Sequence, residues 1–448
     1  MNRWRKALIL VSLAGMIAST HVSVSLNAIL PKVVAGLPFL VAASMVPYLM
    51  LRHVRFRRGL TSTMLVLLGL IVVSGSVFGI LYAVCGWIPF YTTYFGTDLL
   101  LILWLFLAIY AFQDVDDAEG RREIGRLFAI IVFVVLANTI YTTLNSSLIE
   151  IYFLGIGGMH QVVPSFVLAY LLVRVVGREG RWSWRRRVAV GAAIGGALLM
   201  IPIYLLGYQR AALLAFFATF MTAVALAILS LARRPGRAFA IMLVFAGLAV
   251  AAAPIVGPRF KETRFYRLTL QMEFRREESS FARVLEARDA FKFMADQPVY
   301  PLIGFGHGAT YKPEASFMAP NVTEDGVVHN IHIGPVLLYF RYGIFGAALW
   351  GMMVWVLVRG FFRLRSLLEE FSSIRPAPPQ VTRDLMLFLT AYFVFLALFV
   401  IFFTMNIMID PIMGIALAIV VYMIDRVPTL GPATDDRSAA RSGFAAAT

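Results

Sequence analysis

This sequence is poor in charge, poorer still in acid and almost without cysteine, and each shortage excludes something. Charged residues make up 15% of its 448 positions and hydrophobic residues 60%. Soluble domains are about 45–50% apolar and about 25% charged, so this composition describes a polytopic membrane protein. Asp and Glu number 25 against 40 Lys and Arg, for a net charge of +15. In a soluble chain that excess would point to nucleic acid. Here the basic residues sit mostly in short gaps between apolar runs, the positive-inside pattern of membrane topology, and no nucleic-acid partner is expected. The single Cys85 excludes an intramolecular disulfide and any metal site built on cysteines.

Long apolar runs are what the chain has in quantity. The expected fold is all-α, with about 12 transmembrane helices. They are expected near 7–29, 33–51, 60–84, 87–112, 127–145, 159–177, 188–206, 211–231, 238–257, 331–358, 384–405 and 408–425. Alternate gaps carry the arginines: 52–58, 178–187, 233–237 and 359–365. That bias puts those gaps and both termini in the cytoplasm. The N-terminal MNRWRK reads as the start of an uncleaved first helix. The acidic gap 113–126 also falls inside, since acidic residues contribute little to topology.

One interval cannot sit in a bilayer. Residues 258–330 carry ten Lys/Arg, ten Asp/Glu, His307 and His329. Falling between the ninth and tenth spans, this interval is expected on the extracytoplasmic face, and a loop of such length is expected to be functional. The chain divides into helices one to nine over 1–257, the loop over 258–330, helices ten to twelve over 331–427 and a disordered cytoplasmic tail over 428–448. Within the loop, Ser279 or Ser280 caps an expected helix running to about Ala295. On a wheel, Val284, Ala287, Phe291, Met294 and Ala295 form its apolar face, with Glu286, Asp289 and Lys292 on the polar side. Arg283 and Arg288 fall at the two edges of that face. Such a helix lies along the membrane surface or on the tops of the spans.

Few residues are candidates for chemistry. Arg210 opens the eighth span at its outer end, where the positive-inside rule disfavours it, so it either reaches for headgroups or acts on a ligand. Arg283 and Arg288 are either phosphate ligands or partners of neighbouring acids such as Glu286. His329, just before the tenth span, is either a headgroup-level polar residue or a general base. His332 and Asn330 stand beside it as possible accessory residues, with Glu286. Two histidines do not make a metal site, and none is expected. Gly304, Gly306 and Gly308 lack a surrounding βαβ unit and are expected to form a tight turn. Asp114-Val115-Asp116 matches a metal-holding pattern but lies on the opposite face, and Asn321-Val322-Thr323 is too short a pattern to weigh.

Three motifs then recur in order: GYQRAALLAF with Arg210, ARVLEARDAFKFMADQPVYPLIGFGHG with Arg283, and HNIHIGPVLLYFRYGIFG with His329, Asn330, Tyr342 and Gly343. Together with the late outer loop, they resemble the O-antigen ligase and polymerase superfamily of bacterial membrane glycosyltransferases. The family often has Ser-Arg-Gly where this chain has Gln209-Arg210-Ala211, and a tryptophan after the loop arginine where this chain has Leu285, Glu286 and Ala287.

The resemblance implies an enzyme of the inner membrane, most like the O-antigen ligase. It implies a donor glycan on undecaprenyl pyrophosphate, a lipopolysaccharide core (lipid A–core) acceptor and a periplasmic active site. Arg210, Arg283 and Arg288 would hold the pyrophosphate, His329 would be the general base, and no cofactor or metal would be needed. The alternatives are an O-antigen polymerase or a protein O-oligosaccharyltransferase of the same superfamily. A lipid-linked glycan transporter is disfavoured, because the apolar runs read as nearly free of ionisable groups.

Overall fold

A computed structural model describes residues 59–86, 91–112, 126, 159–177, 210–231, 278–296, 300–313, 326–329, 331–374, 378–404 and 411–426. These residues are mostly helical and contain no strand, only an isolated antiparallel bridge between Tyr311 and Val328. The elements are α1 (Leu60–Val84), α2 (Thr92–Phe112), α3 (Met159–Val176), α4 (Arg210–Ser230), α5 (Glu278–Ala295), α6 (Tyr300–Ile303), α7 (Gly334–Phe371), α8 (Pro379–Thr404) and α9 (Pro411–Arg426). Among the described residues, Leu60–Val84, Gly334–Phe371 and Pro379–Phe403 are long and apolar enough to cross a membrane. The protein is therefore an integral membrane protein. The expected spans at 7–29, 33–51, 127–145, 188–206 and 238–257, the Asp114–Asp116 pair and the 428–448 tail lie outside the described residues.

The helices pack around α8, which touches α3, α4, α7 and α9. Leu385, Phe388, Leu389, Phe393 and Phe395 along it are completely buried. Polar side chains here serve the helices themselves. Thr219 and Thr390 each donate to a carbonyl four residues back, and the Tyr392 hydroxyl donates to Leu357 O. At one end the Asp425 carboxylate of α9 accepts the Leu60 and Thr61 backbone N–H groups, satisfying donors that a helix start leaves over.

The α7 helix runs 13 residues beyond the expected end of the tenth span and is not continuous. Gly343 holds φ 53° and ψ −134° inside it, a conformation that side chains disfavour. The break denies the Phe340 and Arg341 carbonyls their usual intrahelical donors. Phe305 N–H and Gly306 N–H supply the hydrogen bonds instead, at 3.0 and 2.7 Å. His307 N–H donates to Gly75 O of α1 at 2.9 Å, and Gly308 N–H to the Asp98 carboxylate of α2 at 2.8 Å. Four successive backbone donors of a non-helical segment thus find partners on three helices. Gly75 lies nine residues before the end of α1, about 14 Å along its axis. Non-helical backbone can sit at that depth only when protein satisfies and surrounds it.

The tight turn expected of Gly304, Gly306 and Gly308 is found at His307–Gly308, and the Gly304–Gly308 stretch around it is an inserted segment. All three glycines have positive φ, and a Cβ on Gly306 would meet Gly75 O at 2.5 Å and the Gly79 Cα at 2.6 Å. Around it lies a second, smaller core of Tyr82, Ala290, Met294, Phe305, Ala309, Tyr311, Val328, Ile331, Leu337 and Phe340. Phe305 and Phe340 stack at its centre with ring centroids 4.7 Å apart.

Candidate functional site

The loop helix α5 forms where expected, and its packed face keeps only Ala287 and Met294 of the expected apolar face. Val284 and Phe291 are 61% and 48% exposed, whereas Glu286, Asp289 and Ala290 are no more than 2% exposed. The reason is that the acids on this face have partners. Glu286 Oε2 accepts the His332 backbone N–H at 2.9 Å and lies 2.8 Å from His332 Nδ1. The Tyr311 hydroxyl donates to Glu286 O at 2.9 Å. Burial pushes the Tyr311 hydroxyl well above its ordinary pKa, reinforced by Glu286 and Asp289, so it remains a donor. Ala290 at the centre of the face lets the helix come close. A wheel sorts residues by type alone and cannot see paired acids.

His329 is buried within the protein rather than on its surface. It is 5% exposed and sits where α2, α7 and the inserted segment meet. The Arg341 guanidinium donates to Asp98 Oδ1 at 2.6 Å and to His329 O at 3.0 Å. Tyr94 stacks on the imidazole with centroids 3.9 Å apart and planes 8° from parallel. His329 Nδ1 lies 3.2 Å from Ala309 O, an acceptor only, so Nδ1 carries the proton and donates it there. The lone pair of the neutral ring is then on Nε2, which lies 3.6 Å from Asp98 Oδ1. Burial lowers the His329 pKa, and Arg341 lowers it further against the opposing pull of Asp98. The ring is neutral near pH 7, the protonation state a general base requires.

His307 lies beside the same ion pair. Its Nδ1 is 3.1 Å from the Tyr342 hydroxyl, and burial, opposed by Asp98, pushes its pKa down to about 4. Gly75 makes room for the ring, since a Cβ there would meet His307 Nε2 at 2.8 Å.

The site residues named from the sequence separate into groups. His332 and Glu286 come together as a pair, distinct from the partners of His329. Arg288 is 61% exposed and bridges to Asp289 at 3.1 Å; Arg283 is half-buried on the same helix. Arg210 is the first residue of α4, but its side chain, like Asn330, lies outside the described residues.

Asp98 and Arg341 were missed, and here the expectation of spans nearly free of ionisable groups fails. Each stands near the middle of an expected span, and the two are 1% and 0% exposed. A charge at that depth is costly without a partner, so one acid and one base at mid-span was the available signal.

Residues 195–351 match the family model described as O-antigen ligase. His307, His329, Arg341 and the three arginines of the recurring motifs and loop helix fall inside that stretch, whereas Asp98 falls outside it. No curated protein and no solved structure matches the chain. Residues 195–351, set among helices fit to cross a bilayer, thus form a stretch similar to the O-antigen ligase family of membrane glycosyltransferases.

Proposed function

We propose that this protein is an O-antigen ligase of the inner membrane. It moves a glycan from undecaprenyl pyrophosphate to a sugar hydroxyl of the lipopolysaccharide core at the periplasmic face. The observation that carries the reading is His329. Within a glycosyltransferase-family stretch, it is a buried neutral imidazole whose proton is committed to Ala309 O and whose lone pair is on Nε2. In the proposed step the acceptor hydroxyl gives its proton to Nε2 as its oxygen attacks the anomeric carbon. The bond from that carbon to the pyrophosphate oxygen breaks, and the electron pair leaves on phosphate. A single displacement inverts the anomeric centre.

Negative charge grows on the phosphate oxygens during this step, and Arg210, Arg283 and Arg288 are the groups proposed to stabilise it. Guanidinium groups do this without deprotonating and without a metal ion. The exposure of Arg288 keeps its guanidinium within reach of a ligand arriving over α5.

The test is reconstitution of the purified protein with polyprenyl-linked glycan and lipopolysaccharide core. Glycan should appear on the core, persist with EDTA, and fall by about 10²–10⁴-fold in His329→Ala. Full activity of that variant would overturn the role of His329. Glycan gained by a second polyprenyl-linked glycan, with none on the core, would make the protein a polymerase.

A further inference from the structure

We infer that Asp98 and Arg341 are a positioning pair for His329, which fixes the orientation of the imidazole and sets the charge around Nε2. The inference rests on the reading of His329 as the base, and it adds two residues that the recurring motifs do not contain in that role.

Arg341 Nη2 lies 3.0 Å from Nε2 and 3.5 Å from Nδ1 of His329. An atom in the ring plane at those two distances would collide with Cε1, so the guanidinium nitrogen lies over the face of the ring. Tyr94 covers one face at 3.9 Å, and Arg341 therefore covers the other. The imidazole is held between an aromatic ring and a cation, with its Nδ1 edge tied to Ala309 O. Asp98 Oδ1 lies 3.6 Å from Nε2, close enough for its charge to act on a proton taken up there.

The two charges act oppositely on the same proton. Arg341 disfavours an imidazolium and keeps the resting ring neutral. Asp98 stabilises the imidazolium once Nε2 has taken a proton. Asp98 also orients Arg341, through the 2.6 Å ion pair, and the inserted segment, through Gly308 N–H. The other titratable groups facing the pair are Tyr94 of α2, Tyr342 of α7 and His307. The His307 pKa of about 4 leaves that ring uncharged near neutral pH, so it does not add to the charge around Nε2.

The test uses full-length protein in detergent with labelled histidine. NMR of the His329 resonances, assigned by their loss in His329→Gln, reports both tautomer and titration. Wild type should show the neutral Nδ1–H tautomer at pH 7. Arg341→Gln should move the His329 titration to higher pH, and the acid limb of glycan transfer should move with it. Asp98→Asn should move both to lower pH. That variant strands a buried guanidinium at a cost to folding, so Asp98→Asn/Arg341→Gln, which removes both charges, is measured as well. It should titrate between the two single variants and transfer glycan more slowly than wild type, because the ring has lost its clamp. A His329 titration unmoved in Arg341→Gln and in the double variant would overturn the pair, whatever the activity. Transfer surviving in His329→Ala, with the titration shifts still present, would instead remove the base and leave the pair standing.

Discussion

The molecule contains two cores built on different physics. The larger one surrounds α8 and is held by apolar packing, its few hydroxyls spent on neighbouring carbonyls. The smaller one surrounds the inserted segment and mixes stacked aromatics with buried Glu286, Asp289, His307, His329, Asp98 and Arg341. Lipid tails are as apolar as leucine, so side chains in the first core gain little from leaving lipid and are specified mainly by fit. In the second, every charged group has one acceptable place, because leaving it unpaired in a low dielectric is costly. A packing core tolerates approximation and a paired core does not. The proposed chemistry resides in the intolerant one.

The largest expected effect separates the cores directly. Arg341→Ala removes the cation and leaves Asp98 buried without its ion-pair partner, which should cost about 3–5 kcal/mol. Leu389→Met, at an equally buried position of α8, keeps volume and should cost less than about 1.5 kcal/mol. Thermal unfolding in detergent compares the two variants. Equal losses would mean that the small core is as forgiving as the large one.

Two glycines sharpen the same contrast at lower magnitude. Gly306→Ala places a Cβ against the α1 backbone at φ 85°, and conformational strain alone should cost about 1–3 kcal/mol before the clash. Gly351→Ala, in the helical part of α7 with open space around it, should instead stabilise by up to about 1 kcal/mol. If Gly306→Ala were neutral, the segment would not be wedged between α1 and α7.

Hydropathy made the large core legible. The expected span at 60–84 is observed as the membrane-length helix Leu60–Val84, and helices, though not all of membrane-crossing length, stand within a few residues of those expected at 159–177, 211–231 and 408–425. Apolar length and breaker residues carry that information locally. The small core was only half legible. His329, Tyr342 and Gly343 stood out through the motif resemblance, and Gly343 proves to be the break that receives the inserted segment. Asp98 and Arg341 are separated by 243 residues, and nothing in the sequence near either one names its partner. The depth of His307 was hidden for the same reason, since Gly75 and Gly79 become a slot only once a distant segment fills it.

The face of α5 is where periodicity misled, and the smallest prediction isolates why. Ala290 is completely buried against the small core, while Val284, on the expected apolar face, is 61% exposed. Ala290→Leu should therefore overpack the site and cost about 1–3 kcal/mol, although it makes the helix more apolar. Val284→Ser should change stability by no more than about 0.5 kcal/mol, although it removes an apolar side chain from the supposed inner face. Hydrophobicity alone predicts the opposite order. Measuring both variants by the same unfolding midpoint decides whether paired acids or apolar residues orient this helix. A larger loss in Val284→Ser than in Ala290→Leu would restore the wheel and turn Glu286 away from His332.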